Sequence, residues 1–343
     1  MSVKKKMIQV GCGGFGAYWL EVIMPRVNPF AEVVAAVDVN EAALKNAEKF
    51  VGLKPEKCYT DLQKALMENE ADFVNVVVPP EFHENVIDAA IAAGVDVICE
   101  KPLGDSIESS IRICRKIKAA GRKLAVTMSH RFEVEKQTVE AMVKSGDYGK
   151  LNYVVSRLTM KRTPHYESSP ETLISSALIH NLDTIRGICG CNAKSVYANC
   201  WVGAPELSSG VSGLAIVEME NGTRAVFEES FVNGSGMDGW SDEYLRAECT
   251  NATIVADHRK VTVRSDMGYP YPKSAEIPLL EQEYWDHALI IHDFVRWLDG
   301  GDPPTTMYEE NLQCCALTYA AIESVRTGQV IDVQEYLKQH MEK

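Results

Sequence analysis

In the first 128 residues, apolar and β-branched residues fall in short runs: Met7–Val10, Glu32–Asp38, Phe73–Val78, Val95–Cys99 and Leu124–Met128. Between these runs the apolar residues return at three- and four-residue intervals, over Ala17–Val27, Glu41–Phe50, Leu62–Glu68, Glu81–Ala93 and Ser106–Ala120. The first pattern is that of strands buried on both faces, and the second turns one face of a helix toward a core. Their regular alternation predicts a parallel sheet with helices on both sides, because parallel neighbours can be joined only by a crossover. Pro79-Pro80 and Gly94 punctuate the series.

Beyond Met128 the pattern changes. A helix is expected from about Glu133 to Lys144, ending at Gly146, then a long strand over Leu151–Met160 and a helix over Thr172–Ile188. Strand-like runs follow at Ser195–Val202, Gly213–Glu220, Thr223–Phe231, Tyr244–Glu248, Thr253–Ala256 and Lys260–Val263. Asn221-Gly222 separates two of them and is a strong hairpin signal, since Asn and Gly tolerate the positive φ of a tight turn. Helices over about Glu281–Leu298 and Tyr308–Arg326 close the chain. Clustered strands with helices set apart predict an α+β domain around a large, mostly antiparallel sheet. The expected division is 1–128 and 129–343. A sheet with one open face is often covered by a second copy, so a homo-oligomer is expected.

The length of 343 residues accommodates two domains, and 46% hydrophobic with 24% charged residues supplies cores and excludes disorder. Lys and Arg number 35 against 48 Asp and Glu, a net charge of −13. That balance argues against nucleic acid and anionic membranes as partners. The ten cysteines are scattered and contain no C-x-x-C pair, so neither a disulfide framework nor a structural zinc is expected; even Cys189-Gly190-Cys191 is read as inert. Reduced thiols suit the cytoplasm. Lys4–Lys6 before Met7–Val10 imitates a signal peptide, but Gly11, Gly13, Gly14 and Gly16 interrupt the apolar segment that such a peptide needs. No run of 18 apolar residues suggests a membrane span.

Those glycines form Gly11-Cys12-Gly13-Gly14-Phe15-Gly16, a G-x-G-x-x-G between the first strand and its helix. In that context the first Gly permits a tight turn, the second lets backbone approach a pyrophosphate, and the third lets helix and strand pack closely. The helix N-terminus then presents free N–H groups to the phosphates. Asp38 ends the next strand, where a carboxylate accepts the ribose hydroxyls and repels a 2′-phosphate. Val39-Asn40-Glu41 brings no cation to hold such a phosphate, so NAD is favoured over NADP. A glycine-rich turn with no ligand is the alternative.

Phe73–His83, reading FVNVVVPPEFH, is followed by Ala89–Leu103, reading AAIAAGVDVICEKPL. This pair resembles the glucose–fructose oxidoreductase, inositol dehydrogenase and MocA family. The E-K-P tripeptide Glu100-Lys101-Pro102 at a strand end downstream of the glycine motif is the most specific match. Arg131-Phe132, Gly149-Lys150-Leu151, His180-Asn181-Leu182-Asp183 and Phe294 through Asp332 also resemble it, so the likeness spans the whole chain. It implies an N-terminal Rossmann domain, a C-terminal domain with a large open sheet, and NAD(P)-dependent chemistry on sugars and polyols. It implies Gly11, Gly13, Gly14, Phe15, Gly16, Asp38, Pro79, His83, Glu100 and Lys101 at the cofactor, and Lys101 and His180 as catalytic residues. The family's dehydrogenases usually carry Asp four residues before the histidine, where this chain has Ser176.

Oxidising a secondary alcohol needs a base for the hydroxyl proton. Lys101 follows the C-terminal end of a strand, where ligands of open α/β sheets collect. Burial and a neighbouring nicotinamide cation lower a lysine's pKa toward neutrality. Pro102 offers the usual place for a cis bond; a surface lysine is the alternative. Ser176, His180 and Thr184 share a face at α-helical spacing, with Asp183 beside them. Arg131, His165, Tyr166, Ser176 and Asp183 are expected to bind substrate, and His130, Arg162, Trp240 and Tyr244 are further candidates. Trp285 and Trp297 read as core. His258 beside Asp257 has no third ligand by spacing, so no metal is expected. The leading reading is an NAD-dependent dehydrogenase acting on a secondary hydroxyl, with the 3-hydroxyl of a hexoside preferred, of a sugar, polyol or glycoside. A glycoside-cleaving enzyme that oxidises transiently and eliminates, and a non-catalytic NAD-binding sensor, stay open.

Overall fold

The structure, a computed structural model, describes residues 4–161, 169–203, 211–232, 235–265 and 273–342. The chain forms two compact units, one of Met1–Met128 with Tyr284–Leu312, the other of Ser129–Glu283 with Gln313–Lys343.

The first unit is built on a six-stranded sheet of β1 (Lys5–Val10), β2 (Ala31–Val37), β3 (Cys58–Tyr59), β4 (Phe73–Val76), β5 (Asp96–Cys99) and β6 (Leu124–Val126), in the order β3-β2-β1-β4-β5-β6. All neighbours are parallel, and the order reverses at β1 and β4, the switch point where such sheets bind nucleotides. The all-buried β4 explains why this strand reads as a continuous apolar run. The two residues of β3 are too few to show a period, and the sequence pattern carries no sign of them. Ser106 caps the helix Ile107–Ala120 through a capping box, and Gly121 at φ 63° ends it. Each device satisfies backbone groups that the helix ends leave open.

Tyr284–Leu312 belongs to this first unit, although the compositional break at Met128 predicts everything beyond it in the second. The physical reason lies in the helix Asp286–Leu298. Its Ala288, Ile291, Phe294 and Val295 are buried in one cluster with Met7, Trp19, Ile23, Phe73 and Ile98 of the parallel sheet and its first helix. A linear pattern shows that a helix has an apolar face but not which core takes it.

The second unit holds, among the described residues, a nine-stranded sheet of β7 (Leu151–Thr159), β8 (Ala193–Val202), β9 (Val211–Met219), β10 (Arg224–Ser230), β11 (Tyr244–Cys249), β12 (Ala252–Asp257), β13 (Lys260–Ser265), β14 (Lys273–Ile277) and β15 (Ile331–Asp332). The order is β14-β13-β12-β11-β7-β10-β9-β8-β15. The pairs are antiparallel apart from β7 with β10. The Asn221-Gly222 hairpin joins β9 to β10, with Gly222 at φ 87°. β14 and β15 have no counterpart in the sequence pattern; β14 is exposed along most of its length and β15 has two residues. The helix Ile179–Cys189 is buried on all sides from Ile179 to Ile188, so its polar residues face protein interior.

Candidate active site

In the first unit the glycine loop follows β1 and opens the helix that begins at Phe15. Gly11 sits at φ 92°, and a Cβ there would stand 2.0 Å from the Val77 carbonyl oxygen. A Cβ on Gly16 would stand 2.3 Å from the Gly11 carbonyl oxygen. Those two glycines are demanded by the protein itself. Gly13 is different: a Cβ there meets nothing closer than Ala43 at 3.5 Å. Gly14 also has open space around it, with nothing within 4 Å of a Cβ, but its φ of 48° is one that the backbone reserves for glycine. The room they leave suits the close approach of a pyrophosphate, so the loop fits a dinucleotide. Asp38, at the end of β2, accepts bonds from the backbone N–H of Cys12 (2.8 Å) and Gly13 (3.3 Å) on one oxygen and of Asn40 (2.8 Å) on the other. The oxygen that accepts from Asn40 keeps a lone pair for a ribose hydroxyl, and the other oxygen is already filled by Cys12 and Gly13.

Glu100-Lys101-Pro102 follows β5, and the Lys101–Pro102 bond is cis. Lys101 is half-buried. Glu100, expected at the cofactor, is buried instead and turned to protein partners. Its carboxylate accepts from Trp19 Nε1 at 2.9 Å and from the Lys101 backbone N–H at 3.2 Å, and pairs with His287 Nε2 at 3.5 Å. Asp286 continues the chain, 3.6 Å from His287 Nδ1 and 2.7 Å from Arg26. Burial alone would raise the pKa of Glu100, but the bond from His287 and the charges of His287 and Lys101 leave it lowered. Burial alone would lower that of His287, but Asp286 and Glu100 raise it to about 9. The His287 ring also lies against Phe15 and Trp19, 6.0 and 5.3 Å between centroids.

His83, likewise expected at the cofactor, is fully buried. Its Nε2 lies 2.8 Å from the Val78 carbonyl and its Nδ1 3.2 Å from the Cys99 thiol and the Leu103 carbonyl. Burial lowers its pKa, and the neutral ring braces the ends of β4 and β5. Pro79 is exposed just after β4.

In the second unit, His180 lies face to face with His130, 3.7 Å between centroids and 8° between planes. The Trp240 ring meets both edge-on at 5.7 and 4.9 Å. His130 Nδ1 contacts the buried carboxylate of Glu243, whose other oxygen takes Lys136 Nζ. Burial would raise the pKa of Glu243, but Lys136 and His130 hold it well below the usual carboxylate range. Sequence reasoning missed Glu243 and Lys136. A single Lys in an amphipathic helix and a single Glu before a strand give no local signal of a partnership 107 residues apart.

Arg131 and Asp183, expected to bind substrate, face each other's cluster. Arg131 lies 3.4 Å from Glu140, packed over Gly187, where a Cβ would meet its guanidinium at 2.3 Å. Asp183 lies 3.4 Å from Arg186, and burial outweighs Arg131 and Arg186 to raise its pKa. Their charges are balanced within the protein. Ser176 is half-buried in a π-helical turn over Ile174–Leu178, so four residues no longer measure one α-turn to His180. Thr184 is buried with its hydroxyl donating to the His180 carbonyl at 2.8 Å. Trp285, read as core, is 42% exposed, with Arg26 over its ring. Arg162, His165 and Tyr166 lie outside the described residues. Among those described, no group of His, Cys, Asp and Glu forms a metal site, and no helix is long and apolar enough to cross a membrane.

Known proteins resemble the chain throughout. Residues 5–128 match the oxidoreductase family model for the NAD-binding Rossmann fold, and residues 137–255 match the GFO/IDH/MocA C-terminal domain. The uncharacterised protein y4oX of Sinorhizobium fredii is 34% identical, over 98% of this chain and 97% of its own length. An inositol 2-dehydrogenase of Corynebacterium glutamicum is 30% identical, over 74% of this chain and 81% of its own length. An oxidoreductase from Agrobacterium radiobacter, crystallised with NAD+, L-tartaric acid and magnesium, superposes with a TM-score of 0.85 at 20% identity, covering 97% of this chain and 99% of that one. With both halves matched in order, this chain belongs to the Gfo/Idh/MocA oxidoreductases and carries their NAD-binding Rossmann domain.

Proposed function

We propose that the protein oxidises a secondary hydroxyl of a sugar, polyol or glycoside, with the 3-hydroxyl of a hexoside as the preferred position. The observation that carries this reading is Lys101, half-buried at the C-terminal end of β5 on a turn held by the buried Glu100 carboxylate. NAD+, when bound, supplies the hydride acceptor at C4 of its nicotinamide. Lys101 takes the hydroxyl proton, and His180 shares the proton work. Gly13 and Gly14 admit the pyrophosphate, and Asp38 binds the adenosine ribose. Ser176 contributes a hydrogen bond to the substrate, and Trp240 offers an aromatic surface for sugar C–H groups. Arg131 and Asp183 hold the His180 helix in place. The name of the inositol 2-dehydrogenase relative supports a polyhydroxylated substrate. Growth of absorbance at 340 nm with one member of a sugar, polyol and glycoside panel is the expected result. No change across the panel, with NAD demonstrably bound, would overturn it.

Ser176 favours one second reading, because the carboxylate usual before the histidine is absent. In that reading oxidation at the 3-position acidifies the adjacent C–H, elimination releases the aglycone, and the hydride returns. Free aglycone without net NADH would select it.

A second copy of the chain is proposed to cover the outward face of β8 and β9, where Tyr197 pairs across the strands with the exposed Ile216, and Leu214 and Trp201 are exposed nearby. The cytoplasm, where ten thiols stay reduced, is the proposed compartment.

A further inference from the structure

The glycine loop and the E-K-P turn, the two supports read for the cofactor, share a buried neighbour within the first unit. His287, at the start of the helix Asp286–Leu298, packs its ring against Trp19 and against Phe15, the first helical residue after the glycine loop. Its Nε2 faces one oxygen of the Glu100 carboxylate at 3.5 Å, and the other oxygen takes the Lys101 backbone N–H. Its Nδ1 faces Asp286 at 3.6 Å. Asp286 is held in turn by Arg26 at 2.7 Å and keeps φ 47°, a left-handed conformation that strains a residue with a side chain. Such strain persists where the surroundings over-determine it. Arg26 also donates to the Trp285 carbonyl at 3.0 Å and lies over the Trp285 ring.

We propose that His287 is a positioning residue for the cofactor: anchored by Asp286, it holds the Glu100 carboxylate of the E-K-P turn and backs Phe15 at the glycine loop, so that its proton and the dinucleotide favour each other's binding. A neutral imidazole offers one donor and one acceptor, and an acceptor turned to a carboxylate is repelled. With a carboxylate at each nitrogen, the imidazolium alone suits both. The charged groups facing the ring are Asp286 on its own helix and Glu100 on the turn after β5. Arg26 of the first helical segment stands behind Asp286, Lys101 follows Glu100, and Phe15 and Trp19 add no charge. Arg26 and His287 thus balance Asp286 and Glu100.

Burial works against the charge of His287, but the two carboxylates raise its pKa to about 9. Above that pH the buried Glu100 carboxylate loses the cation that faces it, and an uncompensated buried charge is costly. The E-K-P turn then gives up the position that receives the dinucleotide. This deepens the reading of the glycine loop and the E-K-P turn as the cofactor's supports and rests on it. Coupling of this kind is reciprocal: the factor that the proton adds to cofactor affinity, the cofactor adds to proton affinity. A factor of about ten is about one pH unit in the His287 midpoint.

The test titrates NADH, which withstands alkali, into the full-length protein from about pH 7 to about pH 10, read by fluorescence. In parallel, NMR follows the His287 Cε1–H resonance with and without NADH, assigned through its ring contacts with Phe15 and Trp19. In the wild type the affinity is expected to fall about tenfold as pH passes through about 9, and bound NADH to raise the His287 midpoint by about one unit. His287→Gln, which keeps a donor without the charge, is expected to bind about tenfold more weakly at neutral pH and to lose the step. Glu100→Gln is expected to lower the His287 midpoint and to remove its response to NADH. A role in packing alone leaves the midpoint indifferent to NADH. A midpoint at or below the ordinary histidine value, a midpoint that NADH does not move, or the same pH profile in His287→Gln and wild type overturns the proposal. If neither variant folds, the wild-type midpoints decide. Lost turnover in Lys101→Ala together with a midpoint unmoved by NADH sinks this inference and keeps the reading of the turn, whereas normal turnover in Lys101→Ala sinks that reading.

Discussion

Single residues divide here into those that the protein requires and those that a ligand requires. Gly16→Ala drives a methyl into the Gly11 carbonyl, and is expected to cost about 1–3 kcal/mol, measured by chemical denaturation. Gly13→Ala meets no protein atom closer than 3.5 Å, so its stability should stay within about 0.5 kcal/mol of wild type. Its NAD affinity, by calorimetry, should fall about tenfold or more, a loss of about 1.4 kcal/mol. Equal NAD affinity in Gly13→Ala and wild type would remove the assigned reason for that glycine. Lys101→Ala, assayed at saturating NAD, is expected to lose about 10²- to 10⁴-fold in kcat, the usual range for a general base. The places of the glycine motif, Asp38 and the E-K-P turn at strand ends were legible in the sequence because a few contiguous residues set each of them. Glu100, in that turn, and His83, at the helix start after β4, were legible in place but not in their contacts, which depend on Trp19, His287 and the Leu103 carbonyl.

At the scale of elements, the chain Arg26–Asp286–His287–Glu100 ties the start of the helix Asp286–Leu298 to the first helix and to the turn after β5. His287 is raised above its unfolded value of about 6.5 to about 9. A raised histidine contributes stability that is fully present below the unfolded pKa and is lost as pH rises through the folded one. The melting temperature should therefore decline between about pH 6.5 and 9 in the wild type, and the decline should be shallower in His287→Gln. Identical slopes in the two proteins would show that the charge of His287 does not hold this junction. Element boundaries were mostly legible where a cap or a terminal glycine marks them, as at Ser106 and Gly121. The π-helical turn over Ile174–Leu178 was not, since an α-helical period was assumed across it. The face shared by Ser176, His180 and Thr184 was drawn on that assumption, and Thr184 turns out to bond back to its own helix.

For the molecule as a whole, the exposed apolar positions on β8 and β9 are the basis for expecting a second copy. Leu214→Glu with Ile216→Glu should leave the fold intact and shift the protein to monomer, read by light scattering after size exclusion. A wild type that is already monomeric at micromolar concentration would refute the interface. Both sheets, most of their strands and the NAD-binding end follow from the amino-acid sequence by itself, because burial on two faces, helical periodicity and glycine spacing are local properties of the chain; β3, β14 and β15, too short or too exposed to show a pattern, do not. Only the tertiary structure decided that Tyr284–Leu312 returns to the first unit, that Glu243 reaches Lys136 and His130, and that Arg131 and Asp183 balance charges inside the protein. These are pairings between distant residues. Which buried charge meets which partner depends on how the cores close, and no spacing along the chain encodes it.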